Sequence, residues 1–288
     1  MPDVRIISDS GCDVFPDGLR EAGVHVIPFP YALDGQERMD DPQSPSALDD
    51  FYHALRNGAH ATTAQVRTGD VVDLFRRCAE EQTAAIYITL SSGLSATYDA
   101  ALSARDSVLD EYPEADLHVV DSLCASAGQA LLVIETARRL AEGFSAAQAA
   151  EWAEANRLRV HHLLTVDSFE HLLRGGRVSP AAATAGSILD IKPIIMVSAE
   201  GKLVPIRKVR GRHHALKAVA DLVAQGVAGQ PSGMIVSHAQ CAEDASELES
   251  MIRQAVPGSQ IDAARVSTII GAHTGPSAVI VAFWGEPR

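Results

Sequence analysis

The chain has 288 residues, more than one hydrophobic core usually organises, and its 47% hydrophobic and 21% charged residues exclude a disordered polymer. A formal net charge of −13 gives no electrostatic footprint for a nucleic-acid backbone or an anionic membrane surface. An anionic ligand would therefore have to be held by a local cluster of cations and N–H groups.

The N-terminus enters an apolar run at once, without a basic leader, and no apolar stretch is long enough to span a bilayer, so the expected compartment is the cytoplasm. Cys12, Cys78, Cys124 and Cys241 are scattered and read as buried thiols. The adjacent pairs His161-His162 and His213-His214 lack the helical spacing of a zinc site. Neither a metal nor a cofactor is predicted.

In chain order, Val4 to Ile7 and His25 to Phe29 read as strands. Ser44 followed by Pro45 signals an N-cap and first helical residue, opening a helix through Leu55. Apolar spacing predicts a helix from Asp70 to Cys78, and Ala84 to Leu90 is an apolar run suited to a buried parallel strand. Leu117 to Val120 is the next strand, followed by an apolar helix from Ala125 to about Ala141, stopped by Gly143, with Ser145 capping another. This alternation predicts a parallel sheet covered on both faces.

The second half has a different pattern. Val160 to Val166, Ile191 to Val197 and Leu203 to Ile206 read as strands, the last two joined by a hairpin turn at Ala199 to Lys202. Helices are predicted from Ser179-Pro180 onward, from His213 to Gln225 and from Ala242 to Val256, with strands at Met234 to Val236 and Ala278 to Phe283. The fold class is thus α/β in two domains: an N-terminal parallel-sheet α/β/α sandwich over residues 1–157 and a C-terminal α/β domain with a mixed sheet over residues 158–288. The cleft between them is the expected ligand pocket.

Five segments carry chemistry. Ser91-Ser92-Gly93-Leu94-Ser95 lies between a buried strand and a helix, where an open parallel sheet places its ligand crevice and a helix offers free N–H groups. One of these serines alone would be read as an N-cap; three hydroxyls around a glycine suit an anion. Thr62 and Thr63 bring hydroxyls to the same edge, or form a polar turn. Arg177 follows Gly175-Gly176, either near a ligand or at a helix stop. Arg207 to Arg212 holds four cations, with Arg210 and Arg212 on one side if the segment is a strand, for a ligand or an acidic partner. His273 stands in a Gly- and Pro-rich turn between apolar runs, as a hydrogen-bond donor to a carboxylate or as a plain turn residue.

Taken together, these segments resemble the DegV family of fatty-acid-binding proteins from Ile6 to Phe283. Ser8 to Asp13 is similar to the family's opening DST-A-D motif, Thr63-Ala64-Gln65 to its T-S-Q-P, and Ser91 to Tyr98 to its S-S-x-L-S-G-T-Y. Asp121 to Gly128, Arg177, Val209-Arg210-Gly211 and Gly271 to Pro276 fall in further family motifs. Ala64, Val66, Ala96 and Ser277 depart from the pattern.

The resemblance implies an interdomain pocket that binds one long-chain fatty acid, the carboxylate held by Thr63 and Ser92 with His273 near it. Arg177, Arg210, Ser95 and Thr62 would support the ligand or dock a partner. It also implies a non-catalytic carrier serving phospholipid synthesis, presenting its ligand to a dihydroxyacetone-kinase-like fatty acid kinase that makes the acyl phosphate. Transient membrane contact is left open. The Leu131–Ile134 and Ala181–Leu189 segments are candidate tail walls. The rival reading is a serine hydrolase acting on an ester through Ser95 and His273, against which Thr97 occupies the second glycine position of a G-x-S-x-G elbow.

Overall fold

Ala84 to Thr89 is buried at every position, as a strand covered on both faces of a parallel sheet must be. The computed structural model describes residues 4–13, 18–41, 44–183, 190–227 and 233–288. The chain runs β1 (Val4–Asp9), α1 (Gly18–Glu21), β2 (His25–Ile27), β3 (Pro30–Leu33), β4 (Gln36–Met39), α2 (Pro45–Arg56), β5 (Ala61–Thr63), α3 (Thr68–Glu80) and β6 (Ala84–Thr89). Next come α4 (Thr97–Glu111), β7 (Leu117–Asp121), α5 (Ser126–Ala141) and α6 (Ala146–Asn156). The remainder is β8 (Val160–Thr165), α7 (Glu170–Arg174), α8 (Pro180–Ala183), β9 (Ile191–Val197), β10 (Leu203–Arg210), α9 (Arg212–Gly226), β11 (Met234–His238), α10 (Ala242–Ala255), β12 (Ile261–Arg265), α11 (Thr268–Thr274) and β13 (Val279–Trp284).

The first sheet is parallel and four-stranded, in the order β2-β1-β6-β7. Helices α3 and α4 pack together, as do α5 and α6, and members of both pairs contact the sheet. The second sheet is six-stranded and mixed, in the order β10-β9-β8-β13-β11-β12, with only β11 and β12 parallel. One continuous apolar core takes side chains from both, including Ile86 of β6, Leu132 of α5, Leu164 of β8 and Ile280 of β13.

Caps set several boundaries as the sequence predicts. Ser44 accepts a hydrogen bond from the Ala47 N–H ahead of Pro45, and Ser145 and Gln148 form a reciprocal capping box at the start of α6.

Four features depart from the sequence reading. A three-stranded antiparallel sheet, β4-β3-β5, contains Thr62 and Thr63, so these residues stand on a strand and not in a turn. β12 is an additional strand. The segment around His273 is helix α11, capped by Ser267, rather than a turn between strands. Arg212 is the first residue of α9 beyond Gly211, whose φ of +85° ends β10, so it does not share a strand face with Arg210. Of the Ala181–Leu189 wall segment, residues 184–189 lie outside the described residues.

Candidate functional site

The strand-to-helix turn after β6 is organised by buried carboxylates from the first sequence motif. Asp9 accepts hydrogen bonds from the Leu90 N–H at 2.9 Å, the Gly11 N–H at 3.1 Å, the Gln129 side-chain amide at 2.9 Å and the Tyr87 hydroxyl at 3.1 Å. Asp13 accepts from the Ser126 hydroxyl and from the Ser267 N–H at 3.3 Å, joining the start of α5 to the cap of α11. Burial pushes both carboxyls up to about 6, against the opposing effect of these hydrogen bonds. The two acids brace the elements that bear the site; neither is among its wall residues.

Those elements enclose a cavity of about 260 Å³. Leu90, Leu94 and Ala125 come from the first-sheet side, and Leu164, Ile280, Val197 and Leu203 from the second sheet. Ile269 and Ile270 of α11 complete most of the apolar wall. Of the Leu131–Ile134 segment, expected as a wall, Leu131 to Val133 are buried in the general core and Ile134 packs against it, and none of the four lines the cavity.

Polar side chains gather where β5 meets α11. Thr63 Oγ1 and His273 Nε2 are 2.8 Å apart, and both residues line the cavity with Ser95, Gln65 and Arg177. His273 sits in the last turn of α11, with Nδ1 buried and without a hydrogen-bond partner among the described residues. Burial, and secondarily the Arg177 charge, hold its imidazole down at about 4, so it is neutral at neutral pH. A side chain at Gly175 would place its Cβ 2.1 Å from His273 Nδ1, so the close approach of this backbone requires glycine. Arg177 Nε donates to the Leu94 carbonyl at 2.9 Å and Nη1 to the Gly175 carbonyl, tying the α7 loop to the turn after β6.

The other expected residues lie elsewhere. Ser92 is not on the cavity wall: its hydroxyl donates to Asp121 Oδ2 at 2.5 Å and its N–H to Oδ1 at 3.0 Å. The chain then turns, and Ser95 reaches the wall in its place, its oxygen 2.9 Å from Thr97 Oγ1. Thr62 alternates to the exposed side of β5. Arg210 is exposed near the end of the edge strand β10, beside Arg207, Lys208 and the exposed Val204 and Ile206.

For ester chemistry Ser95 and His273 would need to be hydrogen-bonded, with an orienting acid on the far ring nitrogen. Here Ser95 pairs with Thr97, His273 pairs with Thr63, and His273 Nδ1 faces the Gly175 backbone.

Sequence reasoning missed His162 as a wall residue. Its position two residues before Leu164 on β8 puts both on one face of the strand, a period-two signal present in the sequence.

The class defined by this fold and site is an α/β protein of three sheets whose internal apolar cavity ends in a hydroxyl, an imidazole and a guanidinium. Such an arrangement suits a molecule with an anionic head and an apolar body. The family model described as "Uncharacterised protein, DegV family" matches residues 3–286. A DegV domain-containing protein of Clostridium perfringens is 34% identical over 284 residues, covering 98% of each chain. The chain belongs to the DegV family.

Two solved structures of Thermotoga maritima proteins are similar throughout. One, a DegV lipid-binding protein, is 25% identical with a TM-score of 0.87 and covers 99% of each chain. The other, described as revealing a fatty acid binding function, is 25% identical with a TM-score of 0.86, covering 99% of this chain and 100% of its own.

Proposed function

We propose that the protein binds a long-chain fatty acid, with the carboxylate at Thr63, Ser95 and His273 and the tail in the apolar cavity. The observation that carries this reading is the hydrogen-bonded Thr63–His273 pair at the edge of an otherwise largely apolar wall. Burying a carboxylate is costly unless it gains hydrogen bonds and a nearby cation, and here two hydroxyls, an imidazole and the Arg177 guanidinium are available to it. The tail requires only apolar area, at about 0.8 kcal/mol per buried CH₂. The fatty acid binding described for one structural relative supports the same ligand class. In this reading Ser95 takes the role first expected of Ser92.

The finer part of the proposal is that the protein is a non-catalytic carrier in the cytoplasm. It presents the bound carboxylate to a dihydroxyacetone-kinase-like fatty acid kinase, which transfers phosphate to it. The exposed Val204, Ile206, Arg207, Lys208 and Arg210 on one edge strand support a docking role there. Among the described residues no helix is long and apolar enough to cross a membrane. A division into two domains at 157/158 belongs to the proposal too, supported by the first sheet ending with Asp121 and the second starting at Val160.

The test is purification under native conditions, solvent extraction and mass spectrometry of the released lipid. Wild type should yield stoichiometric fatty acid and a Thr63→Val/His273→Ala variant little. No lipid in wild type, even after incubation with a chain-length series, would refute the reading. Hydroxamate formation after addition of the kinase, ATP and hydroxylamine tests presentation separately.

A further inference from the structure

His162 is 3% exposed, lines the cavity, and has no hydrogen-bond partner on either ring nitrogen among the described residues. Such an orphan is rare, because a buried polar group without a partner destabilises the fold. A structural core histidine would have a carbonyl or hydroxyl beside it. Here the ring packs over Gly128: a Cβ at that position would fall 1.6 Å from Nε2, so the ring fills the space that a side chain on α5 would take. The sequence keeps both the imidazole and the glycine that makes room for it, on a wall where a leucine would serve an alkyl tail as well or better.

Strand register fixes where along the cavity this group lies. Leu164 pairs with Ile280 and His162 with Ala282. β13 begins just after α11, which ends with the His273 turn, so the Leu164–Ile280 pair is nearer the polar end and His162 lies two residues further along. At the strand rise this is roughly 7 Å deeper, past an apolar pair. The cavity therefore has a further polar wall residue, two strand positions past the apolar Leu164–Ile280 pair. Burial holds the ring neutral, so it offers one donor and one acceptor.

We infer that His162 is a tail-recognition site for an oxygen substituent, so that the preferred ligand is a fatty acid bearing a hydroxyl or keto group away from its carboxyl end. The inference rests on the fatty-acid reading above and adds the substrate class. A hydroxyl in the tail supplies the missing partner, whereas a plain alkyl tail leaves the imidazole unpaired, and an unmade buried hydrogen bond of this kind corresponds to about tenfold in affinity.

The experiment is competition binding of stearate against 2-hydroxystearate, 10-hydroxystearate and 12-hydroxystearate, in wild type, His162→Leu and His162→Gln. Wild type should favour 10-hydroxystearate or 12-hydroxystearate over stearate about tenfold, with no such gain for 2-hydroxystearate. His162→Leu should reverse that preference, and His162→Gln, which keeps a donor and an acceptor, should retain part of it. Equal affinity for stearate and the mid-chain hydroxy acids in wild type overturns the inference whether or not the variants fold, and leaves fatty acid binding intact. The same ratio in wild type and His162→Leu, or a change in chain-length preference alone, also overturns it. Failure of wild type to bind any of the four acids overturns both readings.

Discussion

Thr63 and His273 stand 210 positions apart in the chain and meet through a 2.8 Å hydrogen bond between Oγ1 and Nε2. The contact joins the three-stranded β4-β3-β5 sheet to α11, so it depends on both halves of the protein being folded around one cavity. Thr63→Val keeps the shape and removes the hydroxyl. Fatty acid affinity should fall about tenfold, as expected for one buried hydrogen bond to a charged group, and the melting temperature should fall by about 2–4 °C, because His273 Nε2 loses its partner. Competition with a fluorescent fatty acid and a thermal melt measure the two effects separately.

In the proposed reading Arg177 is the cation that offsets the buried carboxylate, and its guanidinium also holds the Leu94 carbonyl at 2.9 Å. Arg177→Met should weaken fatty acid binding by about ten- to a hundredfold, because it removes both the charge and the tie to the turn that carries Ser95. Arg177→Lys should recover only part, since one ammonium cannot reproduce the fork that reaches both Leu94 and Gly175. Wild-type affinity in Arg177→Lys would show that charge alone matters, and equal affinities for the two variants would show that charge does not.

Asp13 gives a pH dependence with a definite sign. Its folded-state pKa is raised from 3.8 to about 6, so the folded chain holds this proton more tightly than the unfolded one. The stabilisation is complete below about 3.8 and is lost as pH rises through about 6. Asp13→Asn lacks that proton, so the deficit of the variant relative to wild type should grow as pH falls from neutral to 4. The growth should be on the order of 3 kcal/mol. His273, held at about 4, acts in the opposite sense, its contribution present above 6.5 and lost as pH falls, but it is common to both proteins and cancels. Thermal melts across pH check this; a constant difference would contradict it.

Arg288 closes a seam between the halves. Its guanidinium donates to the Leu123 and Arg157 carbonyls at 3.0 and 3.2 Å, and to the Val197 and Ser198 carbonyls at 3.1 and 2.8 Å. Arg288→Ala leaves several carbonyls without this donor and should cost about 2–3 kcal/mol. Denaturant unfolding monitored by circular dichroism would show the loss as a lower midpoint.

The sequence carried the strongly patterned parts of this fold. The largely apolar Ala84–Thr89 run, the Ser44-Pro45 signal and the Ser145 capping box each act through local physics, and each stands where that physics puts it. The β4 and β12 strands escaped detection because they are short and mostly exposed, with every residue of β4 at the surface. Helix α11 was hidden by Gly271, Gly275 and Pro276, which read as a turn, although Ser267 caps it by accepting from the Ile270 N–H. Which of Ser92 and Ser95 stands on the cavity wall was beyond sequence reasoning: it depends on Asp121, 29 positions from Ser92, capturing the first hydroxyl and leaving the second on the wall.

The most direct test of the account is a crystal structure of the protein with stearic acid bound. The carboxylate should lie within hydrogen-bonding distance, roughly 3.2 Å or less, of Thr63 Oγ1 and Ser95 Oγ, with His273 beside it and the tail running past Leu164 and Ile280 toward His162. A carboxylate at Ser92 and Asp121, a tail outside this cavity, or a cavity that stays free of fatty acid would contradict it.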